Sequence, residues 1–398
     1  MGISKKVNQI GKKKIDLESI FIFLFLIVFP FGQIIRLSFS LGGYTIPLLP
    51  IDVVVGLAGL YSLLFQKDKS KIYGYLRFFF YAAIFSFIVS LGIFGKEAFY
   101  GLFYLLRLTA YYSFLNYVWH FARKSKAARI ILTDSLLAIS GLSAVFGWFQ
   151  FFLFPDIKAF FVYNWDMHLY RLVGTLLDPT YLGIIIVFGL ITSLVRYFYS
   201  KEKKYLAISL FFLVSLAFTY SRASYLAFGA GVLVFAFLTK KFRKFSYWIL
   251  GLLLIAYLLP TAKNRSIELT RTFSIFSRIT NYGQTLEVFK RYPIFGVGYN
   301  NLCLARNQII GVEDYASHSC SGSDSSLLFI LASTGIVGFM AFLSAGYAIF
   351  RALRGSKEFY FFAPIAVSLL VHSLFSNSIF FPWVTGYIIV LLGSSLKE

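Results

Sequence analysis

The chain is a succession of long apolar stretches separated by short polar ones, and the lengths of both predict its architecture. Crossing a bilayer as a helix takes roughly 20 apolar residues, and about twelve stretches approach that length. They lie near 18–37, 46–65, 74–95, 98–120, 128–154, 179–198, 204–220, 223–239, 246–260, 326–350, 360–375 and 377–394. One long interruption breaks the succession. Between Leu259 and Asp324 the chain becomes mixed in polarity, and a membrane protein keeps so long a polar segment only where water is available.

Composition agrees with the pattern. A chain of 398 residues that is 58% hydrophobic and 14% charged, with a mean hydropathy of +0.74, has more apolar surface than a soluble domain can bury. The formal charge of +21 would suit a nucleic-acid binder, but its placement points to a membrane. With the amino terminus inside, the basic clusters Lys67–Lys71 with Arg77, Arg123–Arg129, Arg196–Lys204, Lys240–Lys244 and Arg351–Lys357 all fall on the cytoplasmic side, as the positive-inside rule requires. Both termini are then cytoplasmic. The first stretch follows Lys5, Lys6, Lys12, Lys13 and Lys14 without a small-residue cleavage site, and reads as an uncleaved span. No internal repeat is visible, so residues 1–398 are expected to form one membrane domain, with 261–324 as a large outer loop. That loop carries Arg265, Arg271, Arg278, Arg291, Arg306 and His318 on the side where cations are scarce. An anionic ligand on the outer face accounts for them.

The outer loops hold the candidate chemistry. The first, Ser38 to Thr45, has no carboxylate for a hard cation. No HExxH and no cysteine–histidine cluster occurs elsewhere, so neither metal nor cofactor is expected. The third, Pro155 to Asp178, contains Asp166, His168 and Arg171; Asp178-Pro179-Thr180 suits a capped helix start, with Arg171 and Tyr181 as the alternative candidates to face a cleft. Next comes the short turn Thr219–Ser224, where Arg222 sits at the membrane edge among hydroxyls. Arginine suits phosphate because its planar fork donates paired hydrogen bonds and stays charged.

Within the long loop, apolar spacing predicts a helix over 267–292, with Arg271 and Arg278 on one face. Pro293 stops it, and Gly296 and Gly298 permit close backbone approach. His318 and His168 are read as the outer histidines, and Asp324 as a cap for the next span. Cys303 and Cys320 lie in the same loop, as a disulfide or as two thiols. Tyr220, Tyr282, Tyr292 and Tyr299 suit either sugar stacking or packing. Arg107 and Asp134 fall inside spans, where a charge marks either a site or a structural pair.

Three motifs carry a resemblance: the Thr219-Tyr220-Ser221-Arg222 turn; Ser277-Arg278 leading to Tyr292-Pro-Ile-Phe-Gly-Val-Gly-Tyr299; and Ser325-Ser-Leu-Leu followed by Ala332-Ser-Thr-Gly335-Ile-Val-Gly338. In order and spacing they resemble the O-antigen ligase and O-antigen polymerase family of bacterial envelope glycosyltransferases. The resemblance implies an all-α, polytopic, GT-C-like protein of the inner membrane. Its partly helical loop between spans 9 and 10 would form part of an active site facing the periplasm. It implies that Arg222 and Arg278 are catalytic and hold the pyrophosphate of an undecaprenyl-linked glycan donor, with Arg271, Arg171 and Tyr299 as further substrate contacts. The family's ligases place a histidine before the tenth span to activate the acceptor. Here His318 lies six residues ahead of that position and Asp324 stands near it, so either is a candidate base. The retained histidine favours a ligase acting on lipid A–core in lipopolysaccharide biosynthesis, and its displacement favours a polymerase of lipid-linked repeats. A lipid-linked oligosaccharide flippase is the more distant reading, since transporters tend to show repeats and polar residues near the midplane.

Overall fold

The computed structural model describes residues 17–41, 44–159, 168–259, 273–312 and 322–396. In chain order the elements are α1 (Leu17–Val28), β1 (Leu37–Leu41), β2 (Tyr44–Leu48), α2 (Pro50–Phe65), α3 (Lys71–Phe94), α4 (Tyr100–Arg123), α5 (Lys126–Leu153) and α6 (Pro179–Ser200). They continue with α7 (Lys203–Phe218), α8 (Arg222–Thr239), α9 (Phe242–Leu258), α10 (Phe273–Arg291), α11 (Leu302–Ile310), α12 (Ser326–Leu353), α13 (Phe359–His372) and α14 (Pro382–Ser395). Each apolar stretch of the sequence has become one helix, and the polar interruption supplies α10 and α11. Among the described residues, five helical stretches are long and apolar enough to cross a membrane, with Lys71–Arg123 taken as one, and four shorter apolar helices accompany them. The chain is a multi-pass membrane protein.

The first loop departs from the all-helical expectation. The apolar run from 18 to 37 does not continue as helix, because Pro30 and Gly32 (φ +57°) end it. A two-stranded antiparallel hairpin follows, pairing Leu37 with Leu48 and Leu41 with Tyr44. Its ladder satisfies backbone groups on the way from α1 to α2.

Two hydrophobic cores lie side by side. The larger is built by α1, α2, α4–α9, α13 and α14, with Ile72 of α3 and Ile349 and Leu353 of α12, around the fully buried Phe25, Phe114, Tyr117, Phe188 and Tyr387. Within it α8 and α13 approach closely at Gly231, where a Cβ would collide with the Ser368 hydroxyl, and Ser368 Oγ donates to the Ala227 carbonyl at 2.8 Å. Small residues at helix contacts allow such packing where lipid provides no hydrophobic drive. The smaller core joins α3 and the start of α4 to the loop helices, through Phe87, Val297, Tyr299, Leu302, Phe329 and Ala332.

That smaller core is organised by a break in α12. Gly335 has φ +65° and ψ −170°, a conformation essentially confined to glycine. The broken turn strands four backbone groups, and the loop Pro293–Gly298 supplies a partner for each. Val297 N–H donates to the Ala332 carbonyl at 3.1 Å and Gly298 N–H to that of Ser333 at 3.0 Å. In return Ile336 N–H donates to the Pro293 carbonyl at 2.9 Å and Val337 N–H to that of Ile294 at 3.3 Å. The Ser86 hydroxyl of α3 closes the set, donating to the Ser333 carbonyl and accepting from Gly298 N–H. Gly296 and Gly335 face each other's segments at distances that leave no room for a Cβ. Irregular backbone among apolar helices persists where protein satisfies it; the Pro-Ile-Phe-Gly-Val-Gly run does so here.

Candidate functional site

The site is built at the end of the bundle where α6, α8 and α12 begin and α13 finishes. Arg222 is the first residue of α8. Ser221 caps that helix, its Oγ accepting from Ser224 N–H at 3.4 Å. The preceding turn is held by Arg171, whose Nε donates to the Thr219 carbonyl at 2.9 Å and whose Nη2 donates to the Tyr220 carbonyl at 3.1 Å. Arg171 is only 2% exposed. It therefore shapes the Arg222 turn from behind, where the sequence reading placed it among the substrate contacts. Tyr220 sits in the left-handed region (φ +50°) with its side chain buried. Burial pushes its hydroxyl above the usual phenol range against the opposing charge of Arg171.

Arg278 comes from α10, a helix buried along a stripe of Asn281, Thr285 and Val288 and exposed over Ile275–Ser277. Spacings of three and seven residues put Arg278 on the side of Asn281 and Thr285. The structure brings it to Arg222: the charge of Arg278 acts on Arg222, on His372 and on Tyr282. Among the described residues no carboxylate forms an ion pair with Arg278. Two guanidinium groups 56 positions apart in sequence thus act on one another, and like charges disfavour each other's charged form.

The remaining wall is the entry to α12. Ser325, and not Asp324, caps that helix, accepting from Leu328 N–H. Asp324 is held by its backbone, whose N–H donates to Asn281 Oδ1 at 2.9 Å, so capping is not what places its carboxylate. That carboxylate acts on Tyr181 and Tyr282 and so belongs to the same cluster. Tyr282 donates to the Leu374 carbonyl just past α13. Burial pushes its hydroxyl up, Arg278 pulls it back and Asp324 adds to the rise. Ser323 Oγ bonds Asn281 and Thr285, and Thr285 Oγ1 accepts from the buried Arg306 at 2.8 Å. This polar network fastens α10 to the loop ahead of α12.

His372 was missed by the sequence reading, which named only His318 and His168 as outer histidines. It is fully buried at the end of α13, with Nε2 3.2 Å from Ser224 Oγ and Nδ1 2.6 Å from Ser378 Oγ. The signal was present: counting spans puts the end of the eleventh stretch on the same face as Arg222. A lone histidine in Val371-His372-Ser373 stands out little within an apolar run.

Other expected residues lie elsewhere. Tyr299 packs edge-on against Phe329 and Phe380, each at 5.7 Å between centroids, and is 6% exposed; its ring serves the smaller core. Arg107 pairs with Asp52 at 2.7 Å and donates to the Pro47 carbonyl at 2.8 Å, while Asp134 pairs with Arg196. Both charges are thus structural pairs, the first with a buried acid and the second with an exposed one. Asp178 caps α6 as expected, accepting from Thr180 and Tyr181 N–H. Cys303 is disulfide-bonded. His318, Arg265, Arg271, Asp166 and Cys320 lie outside the described residues.

Residues 206–343 match the family model described as O-antigen ligase. No curated protein matches the chain. The matched segment runs from α7 into α12 and contains Arg222, Arg278, Tyr282, Asp324 and the break at Gly335.

Proposed function

We propose, for a chain whose residues 206–343 match the family model described as O-antigen ligase, the following reaction of the O-antigen ligase and polymerase type. The protein moves a glycan from an undecaprenyl-pyrophosphate carrier to an acceptor hydroxyl at the outer leaflet, without a metal and with inversion at the anomeric carbon. The observation that carries the reading is that Arg222 and Arg278, on two separate helices, lie near enough for the charge of Arg278 to act on Arg222. Their paired charges suit the pyrophosphate, whose negative charge grows as the glycosidic bond breaks. Fixed donors in a water-poor site stabilise such charge without reorganising.

The acceptor hydroxyl must lose a proton as it attacks. Asp324 is the described candidate for that role, within the electrostatic reach of Tyr282 and Tyr181; His318 is the other. A carboxylate or imidazole within hydrogen-bond reach of the hydroxyl serves as general base. Attack from the face opposite the leaving pyrophosphate inverts the sugar. We place the site on the periplasmic side of the inner membrane, with both termini cytoplasmic and twelve spans. The ligase reading, with lipid A–core as acceptor, comes first. Polymerisation of lipid-linked repeats remains the second, because the expected histidine position is taken by the region of Asp324.

Reconstitution tests this. Purified protein in proteoliposomes is supplied with a defined undecaprenyl-pyrophosphate glycan and, in turn, lipid A–core or a second lipid-linked glycan. Transfer to lipid A–core alone supports the ligase, and chain extension on the carrier supports the polymerase. No transfer to either acceptor, with donor bound, overturns the glycosyltransferase reading.

A further inference from the structure

His372 has no part in the reaction as drawn, yet its ring nitrogens meet Ser224, two residues after Arg222, and Ser378. His372 Nε2 lies 3.2 Å from Ser224 Oγ, which also donates to the Thr180 carbonyl at 3.3 Å. Nδ1 lies 2.6 Å from Ser378 Oγ. Ser221 Oγ lies 2.8 Å from Ser224 Oγ. One connected path runs from the turn after α13, through the imidazole, to the cap of α8. Arg222 is the next residue after that cap.

The surroundings are shaped for this path. Gly183 of α6 lies against Ser224, and a Cβ there would occupy the position of the hydroxyl. Ser224, Ser378 and His372 are all fully buried, and Ser221 is 3% exposed. An imidazole is the side chain whose two ring nitrogens, one donor and one acceptor on opposite edges, bridge two hydroxyls rigidly.

We infer that His372 is a positioning residue for Arg222: by bridging Ser378 and Ser224 it fixes the first turn of α8, and with it the direction from which Arg222 meets a lipid-linked diphosphate. The inference rests on the proposed function, since it takes Arg222 to be the diphosphate contact. It concerns the donor side alone.

The test measures KM for donor and acceptor separately in the reconstituted transfer assay. His372→Phe keeps a ring and removes both bridging nitrogens; its donor KM rises about tenfold while its acceptor KM stays within a factor of two. Ser224→Ala, which cuts the same path at its other end, gives the same split. The double variant is no worse than either single one, because both remove one unit. His372→Gln, which can place an amide donor near Ser224, recovers most of the donor affinity. A general packing role would instead shift both KM values or the yield of folded protein, with no rescue by glutamine. Should His372→Phe fail to fold, Ser224→Ala alone decides: a wild-type donor KM overturns the inference. Arg222→Ala is measured alongside. If that variant transfers normally, the reading of Arg222 as the diphosphate contact has failed, whatever the His372 variants show.

Discussion

Arg222 rises from a turn held by several buried hydrogen bonds, whereas Arg278 projects from a helix exposed over Ile275–Ser277 and fastened further along. Behind Arg222 stand Arg171 on the carbonyls of Thr219 and Tyr220, the Ser221 cap, and the Ser224–His372–Ser378 path. Behind Arg278 stand Asn281 and Thr285 one and two turns later, Tyr282 on the Leu374 carbonyl, and the Pro293–Gly298 loop inserted into α12. One cation is built into the larger core and the other is hung from the smaller one. In the proposed reaction, a rigid contact and an adjustable contact on one diphosphate would let a long lipid-linked glycan enter before the site is completed.

The largest test of this contrast is at the arginines themselves. Arg222→Ala and Arg278→Ala should each lower transfer at least about 100-fold, the usual loss for a donor that stabilises developing negative charge. Lysine separates them. Arg222→Lys should fall nearly as far as alanine, because the fixed turn cannot shift to aim a point charge. Arg278→Lys should lose only about tenfold, since its helix end can adjust. Equal losses for the two lysine variants would break the comparison.

Next in size is the anchor of the smaller core. Gly335→Ala forces a Cβ into a glycine-only conformation against the Ile294 backbone, at a cost of about 3 kcal/mol. Thermal melting in detergent should show a clear drop in Tm; an unchanged Tm would mean that the inserted loop does not hold the break. Arg171→Ala removes hydrogen bonds from two buried carbonyls and should destabilise by about 2 kcal/mol, with transfer reduced through the Arg222 turn. A Tm loss without any loss of transfer would detach Arg171 from the site. The smallest effect is expected at Tyr282→Phe, which frees one hydrogen bond of α10 worth about 1 kcal/mol. Donor KM should rise about threefold. A larger effect would make Tyr282 a direct contact and α10 less adjustable than drawn.

Much of this protein was legible in its amino-acid order because the governing physics is local. Runs of apolar residues predict helices in lipid, and each run from 18 to 394 has its helix. Asp178 before Pro179 marks a helix start, and Arg222 and Arg278 stood out as cations with no business at an apolar edge. The first loop was less legible, since an apolar run that reads as span is cut by Pro30 and Gly32 and turned into a hairpin.

What only the tertiary structure decided were partnerships between distant segments. Sequence alone could not say that Arg171 would face the Thr219 and Tyr220 carbonyls, that Ser325 would take the cap from Asp324, or that Arg107 and Asp134 would find Asp52 and Arg196. It could not show that Pro293–Gly298 would fill a break in α12, although the glycines allowed it. His372 is the clearest case. Its residue type is uninformative in an apolar run, and its meaning comes from Ser224, 148 positions away. Backbone propensity and hydropathy act along the chain, whereas a hydrogen bond between buried side chains is set by which helices the packing makes neighbours.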